Sequence, residues 1–283
     1  MLIAMLNGRL VAPHDAVIPM NDRGLLYGDG LFETMRLSNG QVQFIDDHLQ
    51  RLADGCKRLK IDVPDMTLLH YELQKLVGNH RDAVLKLVVT RGGGGRGYRP
   101  PVDAQPLRLW QLFAPVSNDT QPLTVRWCET RLARNALFAG MKHLNRLEQV
   151  MAQSEWNDAQ IGEGLLTDTE GELICGTMSN VFLMVDGTMV TPDLRYCGVA
   201  GIMRKNILKT ADELNLAVEV RAVRFEELYS ASEVFVTNVV RGIRSVVTLL
   251  PSQFRDQQRD GYEWQSNEVA TQIKHKLSEL TNH

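Results

Sequence analysis

Residues 31–61 read LFETMRLSNGQVQFIDDHLQRLADGCKRLKI. Two short apolar runs flank Asn39-Gly40, a dipeptide that suits a tight hairpin because both residues tolerate positive φ. From Leu49 to Cys56 the apolar residues then recur at helical spacing. The segment therefore predicts a strand, a turn, a second strand and a helix.

The same patterns continue along the chain and predict an α+β fold of mixed sheets with packed helices. Further hairpins are predicted at Asn7-Gly8, Glu170-Gly171 and Asp186-Gly187. Further strands are predicted over AVLKLVVT (83–90), LRLWQLF (107–113), LTVRWCE (123–129), NVFLMV (180–185), AVEVRAV (217–223) and EVFVTNVV (233–240). Further helices are predicted over MTLLHYELQKLV (66–77), LNRLEQVMAQSEW (144–156), the second part of GVAGIMRKNILKTADELNL (198–216) and SNEVATQIKHKLSELT (266–281).

One stretch has the composition of a linker. The segment APVSNDTQPL, residues 114–123, is polar, contains two prolines and shows no periodicity. We therefore predict an N-terminal α/β domain over 1–114, a linker over 115–123 and a C-terminal domain over 124–283.

The composition narrows the class of protein. The chain has 283 residues and a net charge of −3, and its Lys and Arg residues are scattered, which does not favour a nucleic acid or membrane partner. Its four cysteines lie far apart, without the close pairs that zinc or redox sites use. No apolar run approaches the ~20 residues that span a bilayer, and nothing resembles a secretory signal. We expect a reduced, cytoplasmic protein without a metal that acts on a small molecule.

Lys142 is placed just before the predicted helix over 144–156 and not on its solvated face. The apolar stripe of that helix is formed by Leu144, Leu147, Val150 and Met151. Most lysines are simply exposed, so position alone assigns no role. A lysine can, however, form an imine with a phosphorylated aldehyde cofactor if other residues hold the phosphate.

Two other segments have the chemistry to hold a phosphate. Arg51 lies at the edge of the apolar face of its helix, where a guanidinium can offer two parallel donors. The loop GVAG leads into a helix that starts near Gly201, Ile202 and Met203, where unpaired N–H groups attract anions. Each feature alone is weak evidence for a phosphate site, but together with Lys142 the two features predict a cofactor site.

These features belong to motifs that span most of the chain. The motifs are NDRGLLYGDGLFET (21–34), HLQRL (48–52), KLVVTRGGGGRGYRPP (86–101), MKHLNRLEQV (141–150), GTMSNVFL (176–183), GVAGIMR (198–204) and EVFVTNVVRGIRSV (233–246). With them the chain resembles the fold-type IV pyridoxal-phosphate enzymes, the group of branched-chain and D-amino-acid aminotransferases. Within that group, RGYRPP and KHLNRLEQ point to the lyase branch.

The resemblance implies a pyridoxal 5'-phosphate cofactor, a two-domain fold with the cofactor in the C-terminal domain, and a homodimer. It implies that Lys142 carries the cofactor as an imine and then acts as the proton-transferring base. Arg51 would bind the phosphate with the backbone of Ile202 and Met203, and Asn238 would face the phosphate from the other side.

One position departs from the family pattern. Asn180 matches the asparagine that follows the strand under the cofactor ring, and the family has a glutamate five residues earlier, where this chain has Cys175. That glutamate keeps the pyridine nitrogen protonated. Glu172 does not substitute for it, because residues 172 and 175 of one strand project to opposite faces.

The glycine-rich stretch RGGGGRGYRPP, residues 91–101, on its own predicts a surface loop, since no helix follows it. By resemblance it is a substrate-side loop in which Arg91, Arg96 or Tyr98 meets a dicarboxylate. Tyr27 and Thr34 would line the same pocket.

The activity implied by the resemblance is conversion of 4-amino-4-deoxychorismate to 4-aminobenzoate and pyruvate, a step that feeds folate synthesis. Two alternatives stay open. One is an aminotransferase of branched-chain or D-amino acids, and the other is a non-catalytic cofactor-binding or interaction protein. Cys175 speaks against the first, because transamination depends strongly on the ring as an electron sink. Retention of Lys142 and Arg51 speaks against the second.

Overall fold

The structure, a computed structural model, describes residues 3–116, 121–254 and 257–281. The chain forms two compact units: unit 1 comprises Met1–Ser117 and Met141–Asn145, and unit 2 comprises Asn118–Gly140 and Arg146–His283. The short segment that contains Lys142 therefore belongs to unit 1, although both of its flanks belong to unit 2. The predicted linker over 115–123 lies partly outside the described residues and stays a prediction.

Unit 1 is built around one antiparallel sheet. Its strands are β1 (Ile3–Leu6), β2 (Arg9–Val11), β3 (Gly30–Ser38), β4 (Gln41–Val42), β5 (Ala83–Thr90) and β6 (Leu107–Phe113). Its helices are α1 (Arg23–Tyr27), α2 (Ile45–Leu59) and α3 (Met66–Val77), with a 3-10 turn at Pro13–Asp15. The strand order is β2-β1-β6-β5-β3-β4.

The two Asn-Gly turns of unit 1 have the backbone that the sequence predicts. Asn7 and Gly8 have φ values of 47° and 81°, and Asn39 and Gly40 have φ values of 53° and 81°. Positive φ at both central residues matches the twist of the flanking strands, so these turns close the β1-β2 and β3-β4 hairpins.

The sheet of unit 1 has one apolar face and one mixed face because side chains alternate along each strand. Leu31, Met35 and Leu37 of β3 are buried in the core together with residues of both long helices. The core residues from α2 and α3 include Leu49, Leu52, Cys56, Leu69, Leu73 and Leu76. The opposite face of β3 presents Phe32 and Thr34, which are only half-buried.

Unit 2 is built around a larger, mixed sheet. Its strands are β7 (Leu123–Trp127), β8 (Ile161–Thr167), β9 (Glu172–Gly176), β10 (Asn180–Val185), β11 (Thr188–Pro192), β12 (Val218–Arg221), β13 (Val223–Arg224), β14 (Glu233–Asn238), β15 (Gly242–Leu249), β16 (Ser252–Phe254), β17 (Gln257–Arg259) and β18 (Tyr262–Glu263). Its helices are α4 (Leu147–Gln153), α5 (Ile202–Glu213) and α6 (Glu268–Thr281), with a 3-10 helix at Phe225–Tyr229. The main strand order is β12-β11-β10-β14-β15-β7-β8-β9-β13, and the pairs β11-β12, β15-β7 and β7-β8 are parallel.

Most predicted elements coincide with observed ones. Several short elements, among them α1 and β18, are not predicted, and one longer strand and one helix also differ. The sequence analysis does not predict β15, because a glycine and an arginine interrupt its apolar pattern. The helix predicted over 144–156 is wrong in length, since α4 covers only Leu147–Gln153. Its apolar stripe is also not a core face, because Leu147, Val150 and Met151 are 72%, 59% and 53% exposed.

No helix within the described residues is long and apolar enough to cross a membrane. The four cysteines are all free and buried, as small apolar residues are.

Candidate active site

Lys142 is held against β3 by backbone hydrogen bonds. The Phe32 amide donates to the Lys142 carbonyl at 2.9 Å, and the Leu144 amide donates to the Gly30 carbonyl at 3.0 Å. The segment therefore runs along the edge of the sheet, which fixes the backbone of Lys142. Its Nζ lies 4.2 Å from the centre of the Phe32 ring, within the range of a cation-π contact.

A second lysine shares that ring. Lys86 Nζ lies 5.2 Å from the centre of the Phe32 ring. Lys86 is paired with Thr34 across β3 and β5, and with Gln111 across β5 and β6. Thr34, a predicted pocket residue, thus shares a sheet face with the ring that Lys142 contacts. The sequence analysis assigns Lys86 no role; its only signal is a charged residue within the alternating strand AVLKLVVT.

Arg51 points two of its donors at a buried carboxylate. Its Nε lies 2.8 Å from Glu33 Oε1 and its Nη2 lies 2.5 Å from Glu33 Oε2. His48 contacts the same carboxylate from the other side, with its Nδ1 2.6 Å from Glu33 Oε2. The Arg51 side chain keeps 15% of its surface exposed, whereas Glu33 and His48 are buried. Glu33 and His48 therefore fix the orientation of the guanidinium.

The charge on Glu33 is maintained by these neighbours. Burial raises the pKa of the Glu33 carboxyl, but the charge of Arg51 and the hydrogen bonds from His48 and Arg51 outweigh it and lower that pKa below 4.5. Glu33 is therefore ionised at neutral pH. Neither Glu33 nor His48 is predicted as a site residue, because a lone glutamate in a strand gives no signal of its partner on a helix.

Arg91 is engaged inside unit 1. Its Nε lies 2.7 Å from Asp29 Oδ2, and its Nη1 and Nη2 donate to the carbonyls of Lys60 and Leu59 at 2.6 and 2.8 Å. Arg91 thus ties β5 to the end of α2 and is buried. With its donors used in this way, Arg91 has a structural role in place of the expected contact with substrate.

The rest of the glycine-rich loop is anchored by Arg23, which the sequence analysis does not single out. Arg23 donates to the carbonyls of Gly97 and Tyr98 at 3.0 and 2.9 Å. The Tyr98 ring stands edge-on to the Tyr27 ring with centroids 5.6 Å apart, although Tyr98 is 85% exposed. The structure thus brings together two of the predicted pocket residues, Tyr27 and Tyr98, and leaves Arg96 exposed beside them.

In unit 2, α5 begins as predicted at an uncapped N-terminus. Gly201 is the N-cap and makes no side-chain capping bond, and Ile202 and Met203 form the first turn. Asn180 braces the preceding loop, since its Nδ2 donates to the Val199 carbonyl at 2.9 Å. A Cβ on Gly201 would lie 2.1 Å from Asn180 Oδ1, so only glycine fits this approach.

Cys175 lies on β9 in an apolar cluster with Cys128 and Cys197. Burial raises the pKa of the Cys175 thiol well above its ordinary value, and the nearby Cys197 and Glu163 raise it further. The thiol is therefore neutral. Glu172, on the same strand, is partly exposed with its Oε2 3.7 Å from Arg134 Nη2.

Glu163 is a buried carboxylate of unit 2 that the sequence analysis does not single out. It accepts hydrogen bonds from the Thr177 amide at 3.0 Å, from the Ser179 hydroxyl at 2.7 Å and from the Gly164 amide at 3.1 Å. The Thr177 hydroxyl also donates to it through a very short contact. Glu163 therefore holds the loop between β9 and β10.

Asn238 lies at the end of β14 and contacts the same loop. Its Nδ2 lies 3.4 Å from the Met178 carbonyl, and its Oδ1 accepts from the Arg241 amide at 2.8 Å. Asn238, Ser179 and Arg241 also line a cavity of about 410 Å³ in unit 2. Both amide groups of the predicted set, Asn180 and Asn238, thus bond to main-chain groups of unit 2.

Each unit contains residues that fit part of the predicted cofactor. In unit 2, the uncapped first turn of α5 is suited to a phosphate group. Arg51 supplies a guanidinium whose orientation is fixed, and Lys142 supplies a primary amine on a rigid backbone.

Fold and site together define a class of protein, and comparison with known proteins identifies it. The family model described as amino-transferase class IV matches residues 30–249, which is more than half of the chain. The chain therefore belongs to this family.

Individual relatives are close in length and sequence. The structure of 4-amino-4-deoxychorismate lyase from Pseudomonas aeruginosa is 39% identical, with a TM-score of 0.88 and 98% of each chain covered. An aminodeoxychorismate lyase of Vibrio harveyi is 32% identical over 234 residues, covering 81% of this chain and 86% of that protein. A Methanocaldococcus jannaschii protein, provisionally named a branched-chain-amino-acid aminotransferase, is 34% identical over 246 residues, covering 84% of each. The predicted α+β, fold-type IV architecture is confirmed.

Proposed function

We propose that the protein is a pyridoxal 5'-phosphate-dependent lyase that converts 4-amino-4-deoxychorismate to 4-aminobenzoate and pyruvate. The observation that carries this proposal is the 39% identity to a 4-amino-4-deoxychorismate lyase over 98% of both chains. The two lysines that share the Phe32 ring and the neutral thiol at Cys175 are consistent with it.

The chain offers residues for each part of the cofactor. Arg51 and the amides of Ile202 and Met203 would bind the phosphate, with Asn238 near it, and Lys142 would carry the aldehyde carbon. Asn180 would support the loop that leads to α5. When bound, pyridoxal 5'-phosphate supplies an aldehyde that condenses with amines and a ring that withdraws electrons.

Lys142 has two tasks in this proposal. Its Nζ would be displaced by the amine of the substrate, and would then take the proton from C4 of the substrate ring. Enolpyruvate would leave as that ring becomes aromatic, and aromatisation would supply much of the driving force. The hydrogen bonds of Lys142 and Leu144 to β3 fix the backbone from which Nζ extends, which helps to position it for proton transfer.

Cys175 favours the lyase over the aminotransferase. A buried, protonated thiol provides no negative charge, so it cannot hold a proton on a pyridine nitrogen as a carboxylate does. Glu172 is paired with Arg134 and does not take its place. A reaction drawn forward by aromatisation needs less electron withdrawal than a reversible transamination.

The aminotransferase is the second candidate, because the Methanocaldococcus jannaschii relative is as similar as the Vibrio harveyi lyase. It would use the same Lys142 and cofactor with a different substrate. A non-catalytic cofactor-binding protein is the third.

We further propose that the protein acts as a cytoplasmic homodimer. The apolar stripe of α4 is exposed in the single chain at Leu147, Val150 and Met151, and a partner subunit would cover it. Four free, buried cysteines suit a reducing compartment.

One assay separates the candidates. The purified, cofactor-loaded protein is mixed with 4-amino-4-deoxychorismate, and pyruvate and 4-aminobenzoate are measured over time. Parallel reactions contain branched-chain or D-amino acids with 2-oxoglutarate. We expect equal amounts of pyruvate and 4-aminobenzoate and little glutamate. Glutamate formation without pyruvate would identify an aminotransferase, and a shift in cofactor absorbance without any product would identify a binding protein.

A further inference from the structure

The cavity of about 410 Å³ in unit 2 lies at one end of four neighbouring strands. The strand β14 ends there, and the parallel strands β15, β7 and β8 all begin there. Small-molecule sites in proteins have volumes of about 300–1,000 Å³. The cavity is therefore large enough for an organic molecule and not only for a single ion.

Two arginines line the cavity from the side of β14 and β15. Arg241 lies in the turn between these strands, and Arg244 lies on β15. They are three residues apart, so their Cα atoms lie within about 11 Å of each other. The Arg241 amide donates to Asn238 Oδ1 at 2.8 Å, which fixes the turn. Arg244 Nη2 donates to the Gln121 carbonyl at 2.7 Å, which directs this guanidinium across the cavity towards β7.

The positive charge of these arginines is not balanced from within the cavity. Glu163 is the one acidic residue among the described residues that line it. The two oxygens of Glu163 already accept hydrogen bonds from three amides and two hydroxyls. The exposed Arg241 side chain forms no hydrogen bond or ion pair in the part of the chain that the structure describes. The charge of the cavity therefore favours an anion as its ligand.

The other sides of the cavity supply neutral groups. Thr124 of β7 and Gln160, just before β8, provide a hydroxyl and an amide that can donate or accept hydrogen bonds. Leu123 and Val236 provide apolar surface. A bare inorganic ion would leave these groups unused, whereas an organic molecule would contact them. The lining therefore matches an organic anion with an apolar body.

We propose that this cavity binds a small organic anion, a carboxylate or a phosphate ester, whose acidic group contacts Arg241 and Arg244. Both kinds of acidic group present the oxygen pairs that a guanidinium binds with two parallel donors. The inference goes beyond the proposed function and does not depend on it. Because Asn238 lines the cavity and is also assigned to the cofactor phosphate, the test is made on cofactor-loaded protein.

The test uses benzoate and phenyl phosphate as probes, with benzamide as the uncharged analogue. Dissociation constants are measured by calorimetry at low ionic strength for the wild type, Arg241→Gln and Arg244→Gln. The control is Arg131→Gln, which removes an exposed arginine of unit 2 that does not line the cavity. We expect each of the first two variants to weaken the tighter-binding acid by roughly 10-fold. Arg131→Gln should keep the affinity of the wild type, and benzamide should not bind.

The two acids distinguish the sources of the anion, since tighter binding of benzoate assigns a carboxylate and tighter binding of phenyl phosphate a phosphate ester. An equal affinity of the wild type and Arg241→Gln for both acids would overturn the inference, as would equal binding of benzamide. Because Arg241 is exposed, this comparison does not depend on the folding of Arg244→Gln.

A second comparison separates the cavity from the cofactor site. The same titrations are made with cofactor-free protein, and we expect the acid to bind with and without pyridoxal 5'-phosphate. Binding that is lost on loading the cofactor would show that the acid occupies the cofactor site, and would overturn the inference. Pyruvate release is measured separately, so a failure of the proposed function leaves both comparisons intact.

Discussion

The two units hold their candidate site residues by different means. In unit 1 the two residues proposed to hold the cofactor, Arg51 and Lys142, carry basic groups, and Glu33 is a buried carboxylate balanced by Arg51 and His48. In unit 2 they are a thiol, two amides and helix N–H groups, and the buried Glu163 accepts bonds only from uncharged donors within the described residues. In the proposed site, unit 1 would therefore supply charge and proton transfer, while unit 2 would supply neutral support.

From this difference we expect substitutions of charged residues in unit 1 to have larger effects than substitutions of polar residues in unit 2. A charge removed from unit 1 leaves an opposite charge without its partner or removes a reacting group. A polar group changed in unit 2 leaves neutral donors that can turn to other acceptors.

The largest effect is expected for the amine of unit 1. Lys142→Ala should fold normally but lose the covalent link to the cofactor, and turnover should fall by roughly 10³-fold or more, because both nucleophile and base are removed. Borohydride reduction followed by peptide mass spectrometry locates the link, with Lys75→Ala as the control. A label found on Lys86 in the wild type would contradict the assignment.

Matched substitutions of the two buried glutamates test the comparison directly. Glu33→Gln should lower the free energy of unfolding by about 3 kcal/mol, since it leaves Arg51 without its counter-charge. Glu163→Gln should cost only about 1–2 kcal/mol, because its hydroxyl donors can rotate to meet an amide. Urea unfolding of both variants measures the difference, and equal losses would remove the distinction between the units.

Arg51→Ala should weaken cofactor binding, and it should also lower stability because the buried Glu33 loses its guanidinium partner. Loss of a charge-assisted contact to phosphate is worth about 1.5–3 kcal/mol, or roughly 10- to 100-fold in the dissociation constant of pyridoxal 5'-phosphate. Fluorescence titration of the cofactor-free protein measures that constant, and Arg58→Ala on the same helix is a matched control. An unchanged constant would exclude Arg51 from the phosphate site.

The pH dependence of stability should report the charge on Glu33. The pKa of its carboxyl is lowered in the folded protein from 4.5, so its stabilising contribution is complete above pH 4.5 and is lost as the pH falls through the folded value. Glu33→Gln should therefore be destabilised at pH 7 and approach the wild type as the pH falls through the folded pKa of Glu33. Urea unfolding at several pH values tests this; a constant difference at all pH values would show that the pKa of Glu33 is not lowered in the folded protein.

The smallest effects are expected for the acidic residues near Cys175. Glu172→Gln should leave the lyase rate within about threefold, since Glu172 is partly exposed and paired with Arg134.

Cys175→Glu should raise half-transamination with ordinary amino acids, and the lyase rate should change less. Single-turnover absorbance measurements follow both reactions. A large loss in a folded, cofactor-loaded Glu172→Gln protein would mean that Glu172, and not a neutral ring, serves the cofactor.

Local patterns predict much of the fold and less of the site. The Asn39-Gly40 hairpin and α3 follow from turn chemistry and helical spacing within a few residues. The exposure of the α4 stripe does not follow, because an apolar spacing predicts a buried face but does not show whether any part of the chain packs against it.

The candidate site depends on contacts between residues distant in sequence. The pairing of Glu33 with Arg51 joins a strand to a helix, and that of Lys86 with Thr34 depends on the register of two strands. Neither can be obtained from spacing alone, since a shift of one residue would turn Lys86 to the other face. Lys142 can be singled out from the sequence because its neighbours form a recognisable motif, and its role stays a prediction.

The position of segment 141–145 has a consequence for biosynthesis. The edge of β3 at Gly30 and Phe32 is closed by hydrogen bonds to Leu144 and Lys142, residues made well after β6. Because a chain is synthesised from its N-terminus, unit 1 has an open sheet edge on the ribosome until Asn145 has emerged. Completion of its sheet and placement of Lys142 are therefore a single event in the maturation of the chain.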